Sequence, residues 1–313
     1  MSSALQDSRT VKHPRSIAVV NYKGGVGKTT VSYLLGLYLA LKTGREVLLI
    51  DIDAQCSLTF AVGFEPDEVS TSKHNVYHLV KPDAWPRFGD LKVADFTKPI
   101  PKLPAPLYIV PGAFDVENLD VEITEAIYEL RERGKSEFFL YCRQLINSLS
   151  KYRYVIVDTP PNRMYLTQGM LRACHFYVPV TIPDGISVYG MPRLRRWVDL
   201  IPHKERPNML GYILNAVNRT GGSPGGMVLS QQAQVRELNR GLAPSLTRYD
   251  NVMMGDEPCL GQIPRLDQIA KFMGRSKEVR LDFARKTSNQ PDVDSCLKGI
   301  ADKVFSRIEK FHA

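Results

Sequence analysis

Asn21-Tyr22-Lys23-Gly24-Gly25-Val26-Gly27-Lys28-Thr29-Thr30 is the stretch that decides the fold. It follows an apolar run, Ile17-Ala18-Val19-Val20, and precedes Val31 to Ala40, where apolar residues recur at helical spacing. Strand, glycine loop and helix in that order are the setting a phosphate-binding loop requires. Glycines let the backbone approach phosphate oxygens, with N–H groups pointing inward at the positive end of a helix dipole. In such a loop Gly24, Gly25, Val26 and Gly27 line the phosphates and Thr30 completes the lining. Lys28 reaches the β- and γ-phosphates, and the Thr29 hydroxyl takes one Mg²⁺ position.

The rest of the chain bounds what such a loop can serve. At 313 residues with 43% hydrophobic content it can bury a large α/β core. No apolar run approaches the roughly 18 residues that span a bilayer. Met1 to Arg15 is polar, mixed in charge and without an apolar h-region, so it is expected to be a flexible tail on a cytoplasmic protein. Cys56, Cys142, Cys174, Cys259 and Cys296 are scattered, with no Cys-x-x-Cys pair, which predicts reduced, unliganded thiols. The net charge of +8 is uneven: residues 151–313 hold 24 Lys/Arg and 15 Asp/Glu, residues 1–150 hold 17 and 18. A basic half beside a near-neutral half points to a polyanion surface.

Further along, Glu46 to Asp51 reads as a second buried strand, and alternation places Asp51 and Asp53 on one side of its extension. That is the carboxyl end, where open parallel sheets bind ligands. Tyr154-Val155-Ile156-Val157-Asp158 is a β-branched run ending in a carboxylate, with Asp158 placed to hold a Mg²⁺-bound water. Gly211 to Asn215 is another buried strand with a polar end, and Gly221 to Gly226 a surface loop. Ser187 reads as a helix N-cap. Residues 65–135 are studded with proline at Lys81–Pro86 and Lys98–Pro106, which excludes regular helix or central strand there. Leu107 to Gly112 within that region predicts a short strand and turn, and Val116 to Arg133 has helical spacing. Cys296 to Phe311 carries an apolar stripe, Leu297, Ile300, Ala301, Val304, Phe305, Ile308 and Phe311, expected to dock on the sheet. No repeat or linker breaks the chain, so residues 16–313 are expected to form one domain, elaborated at about 65–135.

Lys23-Gly-Gly-Val-Gly-Lys-Thr-Thr30 resembles the deviant Walker A loop of the ParA/MinD family of ATPases. With Asp51–Asp53 and Asp158, the resemblance is to its ParA/Soj branch, over residues 15 to about 63 and 150 to about 275. It implies a doubly wound α/β P-loop fold with a mostly parallel sheet, ATP and Mg²⁺ as ligands, and slow, partner-stimulated hydrolysis in an ATP-sandwiched homodimer. By the family pattern Lys23 crosses to the partner's phosphates, and Lys23, Lys28 and Asp53 form the catalytic set, Asp53 orienting or activating the water. Thr29, Asp51 and Asp158 serve the metal, Thr181 to Gly190 lines the dimer interface, and Asn215 and Pro264 edge the adenine. The chain departs from the pattern at Ala54, where the family usually has Pro, and at Cys56, usually Gly.

The branch further implies non-specific DNA binding on the nucleoid and release by a ParB-like activator. Arg193, Arg195, Arg196, Arg219, Arg236, Arg240, Lys271 and Arg275 are the candidate phosphate contacts. With sixteen residues before Ile17, no preceding helix-turn-helix is expected, and membrane binding is not expected. Three alternatives compete: a MinD-like membrane switch, a positioning ATPase with a protein-complex cargo, and an electron-transfer relative of the nitrogenase iron protein.

Overall fold

The computed structural model describes residues 13–311 except 91, 102, 104, 219–226, 250–257 and 266–292. The apolar runs become the strands of one sheet. These are β1 (Arg15–Val20), β2 (Val47–Asp51), β3 (Lys98–Pro99), β4 (Leu107–Val110), β5 (Tyr154–Asp158), β6 (Phe176–Thr181), β7 (Asn208–Met209), β8 (Tyr212–Val217) and β9 (Cys259–Pro264). Their order is β3-β4-β2-β5-β1-β6-β8-β9, with β7 paired to β6. Every pairing is parallel except β3 with β4. The chain winds outward from β1 to β2 and β4, returns to β5 between β1 and β2, and then proceeds through β6, β8 and β9 on the other side. This is the doubly wound, mostly parallel architecture expected.

Helices cross between the strands. α1 (Lys28–Thr43) is buried continuously from Val31 to Ala40, as a helix covering a parallel sheet must be. Gly36 in its middle lets it close on β2, because a Cβ there would stand 2.6 Å from Leu49 Cδ2. Short helices α2 (Ser57–Ala61), α3 (Pro66–Ser70) and α4 (Val76–Val80) follow β2. α5 (Val116–Glu129), α6 (Gly134–Ser148) and α7 (Tyr165–Ala173) pack on one another. α8 (Gly185–Asp199) and α9 (Leu229–Tyr249) form another packed pair. The last helix is α10 (Val293–Phe311).

The proline-studded region behaves as its chemistry requires. Pro82–Asp90 is 3₁₀ helix, and Pro99 lies in the two-residue antiparallel strand at the sheet edge. Leu107–Val110 is a strand and Val116–Glu129 a helix, as expected. The segment is also well packed, with Val76, Leu79, Val80, Ile100 and Ile109 at 5% exposure or less. One boundary shifts: Arg15, placed at the end of the tail from sequence, donates its N–H to Arg153 O at 3.0 Å and opens β1.

The apolar stripe of α10 docks on α1 and β9, with Leu297, Ile300, Ala301, Val304 and Ile308 buried. Ion pairs Lys42–Asp302 (2.5 Å) and Arg153–Glu309 (2.6 Å) flank the seam. Among the described residues no helix is long and apolar enough to cross a membrane. If this docking is what Ile308 serves, Ile308→Ala will lower unfolding stability by about 2–5 kcal/mol in urea titrations. A variant as stable as the parent would mean that α10 is not held on the sheet.

Candidate nucleotide-binding site

The site is assembled at one edge because parallel strands all end there. The loop after β1 enters α1 through Gly25 (φ 72°) and Gly27 (φ 88°), left-handed conformations that glycine adopts without strain. A Cβ on Gly27 would come 2.1 Å from Asn215 Nδ2, so glycine is required there twice over. Gly27 caps α1 without any side-chain hydrogen bond, and the first turn holds no acidic residue. The opening N–H groups of α1 are thus left to an anion.

Lys28 is 7% exposed, and its Nζ donates to Lys23 O at 3.4 Å. Burial lowers its pKa, while Asp158 and Asp53 oppose that shift. A buried ammonium with so little local compensation is suited to a polyanionic ligand. Facing it are two fully buried carboxylates, Asp51 at the end of β2 and Asp158 at the end of β5, in direct register across the pair. Asp51 Oδ2 accepts from Thr59 N (2.9 Å) and Thr59 Oγ1 (2.7 Å), and its Oδ1 accepts from Asp53 N (3.2 Å). Asp158 Oδ1 accepts from Ser32 Oγ at 2.8 Å, whereas its Oδ2 is buried without a hydrogen-bond partner. Desolvation raises the Asp51 pKa to about 6; desolvation and then the Asp51 charge raise that of Asp158 to about 7. The Thr29 hydroxyl works against the Asp158 shift. An orphaned carboxylate oxygen, a second carboxylate and a hydroxyl form a hard-oxygen donor set that fits Mg²⁺.

Asp53 is only partly buried, and its Oδ1 accepts from Gln55 N at 3.0 Å, closing an Asx-type turn. It still bears on the site, since its charge acts on both Asp51 and Lys28. Cys56, where the resembled pattern has glycine, is held at φ 50° in the left-handed region. Asn215 reaches the loop from β8: its Nδ2 donates to Val26 O at 2.9 Å. Pro264 lies alongside, paired with Val217 at the end of β9.

Lys23 has a carboxylate partner in the single chain. Its Nζ pairs with Asp184 Oδ2 in the segment before α8. Asp184 is the N-cap of that helix, its Oδ1 accepting from Ser187 N at 2.7 Å, so the cap expected at Ser187 belongs to Asp184 three residues earlier. Sequence reasoning also missed Asn21, which accepts from Lys23 N (2.9 Å) and donates to Val180 O (2.6 Å), tying the loop to β6. It missed Arg163, stacked 3.9 Å from the Tyr22 ring centroid. Ser32 and Thr59, the hydroxyls on the two aspartates, were equally unmarked; their only signal was position one turn into a helix beside each strand end.

The candidate DNA contacts divide. Arg193 and Arg196 on α8, and Arg236 and Arg240 on α9, are exposed. Arg195 is 3% exposed, donates to Tyr177 Oη at 3.1 Å and pairs with Asp199 at 3.3 Å. It is a structural arginine, and the expectation that it contacts phosphate is corrected. Arg219, Lys271 and Arg275, with the Gly221–Gly226 loop, lie outside the described residues. Cys142 and Cys174 are buried in the core with their thiol pKa values raised, giving no exposed ligand pair for a cluster.

A glycine loop opening a helix at the carboxyl edge of a parallel sheet, with aspartates ending two neighbouring strands, defines a P-loop nucleotide-binding domain. A family model described as "AAA domain" matches residues 14–210. A ParA family protein of Chlamydia pneumoniae is 30% identical over 207 residues, 66% of this chain and 74% of the relative. The sporulation initiation inhibitor protein Soj of Bacillus subtilis is 31% identical over 280 residues, 87% and 97%. The chain belongs to the ParA family. Its fold is similar to that of a Cyanothece McdA variant solved as an ATP complex, with TM-score 0.68 and 16% identity over 96% and 97% of the two chains.

The aspartate pair makes a testable statement about the metal-free protein. With both pKa values raised, the native state holds protons that the unfolded chain releases, so their contribution to stability falls as pH rises from about 4 to about 7. Asp158→Asn removes the repulsion. In EDTA its melting temperature should exceed the parent's most above pH 7, and the gain should shrink below pH 6. A gain independent of pH would show that the pair does not titrate as a unit.

Proposed function

We propose that this protein is a Mg²⁺-dependent ATPase that dimerises with ATP, binds DNA non-specifically in that state and positions a plasmid, chromosome or other cargo with a ParB-like activator. The observation that carries the reading is the convergence of Lys28, the uncapped start of α1 and the Asp51–Asp158 pair on one edge of the sheet. Lys28 and the N–H groups of 24–30 bind and orient the β- and γ-phosphates. Mg²⁺ held through Thr29, Asp51 and Asp158 would neutralise charge developing between those phosphates. Asp53, within electrostatic reach of Lys28, orients the attacking water and receives its proton. Asn215 and Pro264 edge the base, Asn215 exchanging its bond to Val26 for the ring.

Lys23 supplies its charge to a partner protomer's phosphates, as an arginine finger does elsewhere. Its ion pair with Asp184 in the single chain supports this, because Asp184 lies in the segment before α8 that the family pattern places at the dimer interface. Release of the γ-phosphate then separates the two protomers. Dimerisation doubles the arginines presented to DNA, which links nucleotide state to affinity without base reading. The apolar residues Leu297, Ile300, Ala301, Val304 and Ile308 of α10 are taken up by α1 and β9, which favours the DNA reading over a membrane-surface role for this helix.

Two outcomes test the proposal. Lys28→Ala should abolish ATP binding, whereas Lys23→Ala should bind ATP as a monomer and fail to dimerise by size-exclusion with light scattering. A Lys23→Ala protein that dimerises normally refutes the role in trans. Joint reversal of Arg236 and Arg240 to Glu should weaken ATP-dependent binding to any duplex. The slope of log affinity against log salt should fall by about 0.9 for each phosphate no longer neutralised, with DNA-free ATPase activity intact. An unchanged slope removes α9 from the DNA surface.

A further inference from the structure

Tyr22 stands immediately before Lys23 and is the one aromatic residue of the stretch 21–30. Its ring touches two side chains from distant parts of the chain. The Arg163 guanidinium lies over it, 3.9 Å from the ring centroid. Trp197, in the last turn of α8, meets it edge-on, with centroids 5.5 Å apart and planes at 63°. The Tyr22 hydroxyl is buried without a hydrogen-bond partner among the described residues, so the ring carries these contacts. Arg163 is exposed and enters none of the ion pairs among the described residues. Its place is fixed by Asn162, whose Oδ1 accepts from Met164 N (3.2 Å) and Thr167 Oγ1 (2.7 Å) where α7 begins.

The chain on the other side of Lys23 offers it little support. Gly24 and Gly25 follow, where a Cβ would meet nothing within 4 Å, and Gly25 sits at φ 72°. The Lys23 carbonyl accepts from Lys28 Nζ at 3.4 Å, and that ammonium is the one a nucleotide's phosphates would claim. What then holds the Lys23 backbone lies before it: Asn21 Oδ1, which accepts from Lys23 N at 2.9 Å, and the packed Tyr22 ring. The Lys23 ammonium itself meets Asp184, the N-cap of α8. Two consecutive residues therefore reach the two ends of one helix, Lys23 its cap and Tyr22 its last turn. We infer that Tyr22 is a positioning residue: through Arg163 and Trp197 its ring sets the place of Lys23 relative to α8 and passes a change at the occupied loop to that helix. Arg163 also ties the ring to the segment after β5, the strand that ends in Asp158. This rests on the role in trans proposed for Lys23 and deepens it.

Tyr22→Leu removes the ring contacts, and Tyr22→Phe keeps them. Calorimetric titration with Mg²⁺ and ADP should find both variants within about threefold of the parent, because the loop's phosphate contacts are untouched. In ATP, sedimentation should show the Tyr22→Leu dimer about tenfold weaker and the Tyr22→Phe dimer unchanged, since a lysine held in place loses less freedom on binding. A Tyr22→Leu dimer as tight as the parent's, a Tyr22→Phe dimer as weak as that of Tyr22→Leu, or loss of ADP binding overturns the positioning role. A second measurement needs neither a dimer nor Lys23, and so stands even if the role in trans fails. In a Trp85→Phe background Trp197 is the sole tryptophan. Its emission should shift when ADP binds the monomer, shift equally in Lys23→Ala, and stay fixed in Tyr22→Leu. If Trp85→Phe does not fold, hydrogen exchange across 193–199 in the chain with Trp85 retained reads the same change. No shift in the parent, a shift lost in Lys23→Ala, or a shift that survives in Tyr22→Leu overturns the link from the loop to α8.

Discussion

Two aspartates with no solvent exposure, side by side at the ends of adjacent strands, are the constraint on which this structure turns. A parallel sheet brings its carboxyl ends to one edge, and the register of β2 against β5 sets Asp51 opposite Asp158. Folding alone does not favour either residue: burial and mutual repulsion both penalise their charged forms. The surrounding chain limits the cost by hydrogen bonding. Thr59 serves Asp51 twice while its Oγ1 also accepts from Gly112 N at 2.7 Å, and Ser32 serves one oxygen of Asp158. One oxygen is left over. A fold that concentrates this much unfavourable charge in the absence of ligand is built around a cation, and buried Lys28 beside it is built around an anion.

The same edge explains why the glycines are fixed so tightly. Gly27 cannot carry a side chain without striking Asn215, and Gly36 cannot without striking Leu49. The first contact joins the phosphate loop to β8, and the second joins α1 to β2. Movement of the loop is therefore felt at the strand that offers Asn215 and at the strand that offers Asp51. Asn21 extends the linkage to β6 through Val180 O. The phosphate loop, the ends of β2, β6 and β8 and the start of α1 are thus joined by close contacts, whereas the Lys23 side chain pairs with Asp184.

Periodicity made the fold legible because its strongest elements are buried on every side. β1, β2, β5 and β8 are nearly unbroken apolar runs, and only a parallel sheet covered by helices asks for that. The stripe of α10 was readable for the same reason, and the prolines of 81–106 were readable by what they forbid. What escaped was contact between positions far apart in the chain. Ser187 had the right residue type for a cap, but Asp184 stands where the backbone turns into α8, and it gains Lys23 as well. Arg195 was indistinguishable from Arg193 and Arg196 by composition. Helical phase puts it inward, where Tyr177 and Asp199 receive it. Arg163 acquires meaning only because Tyr22 lies beneath it, a relation no local pattern encodes.

The pairing of Lys23 with Asp184 bears on how a switch of this design can be reversible. Both side chains are about one-third exposed, 31% and 36%, so water and salt screen the pair. Ion pairs of that exposure are worth about 0–1 kcal/mol, far less than a triphosphate's hold on an ammonium in a closed interface. On the proposed role in trans, a partner's nucleotide would take Lys23 from Asp184 with little opposition, and loss of the γ-phosphate would let Asp184 take it back. Asp184 would lose a counter-charge in the first step but keep its bond from Ser187 N, so α8 would stay capped without the lysine. The cap bond alone fixes the carboxylate's position. On that proposal the energy of the switch would reside in the nucleotide and the aspartate pair, and the weak Lys23–Asp184 contact would set only where the lysine rests between cycles.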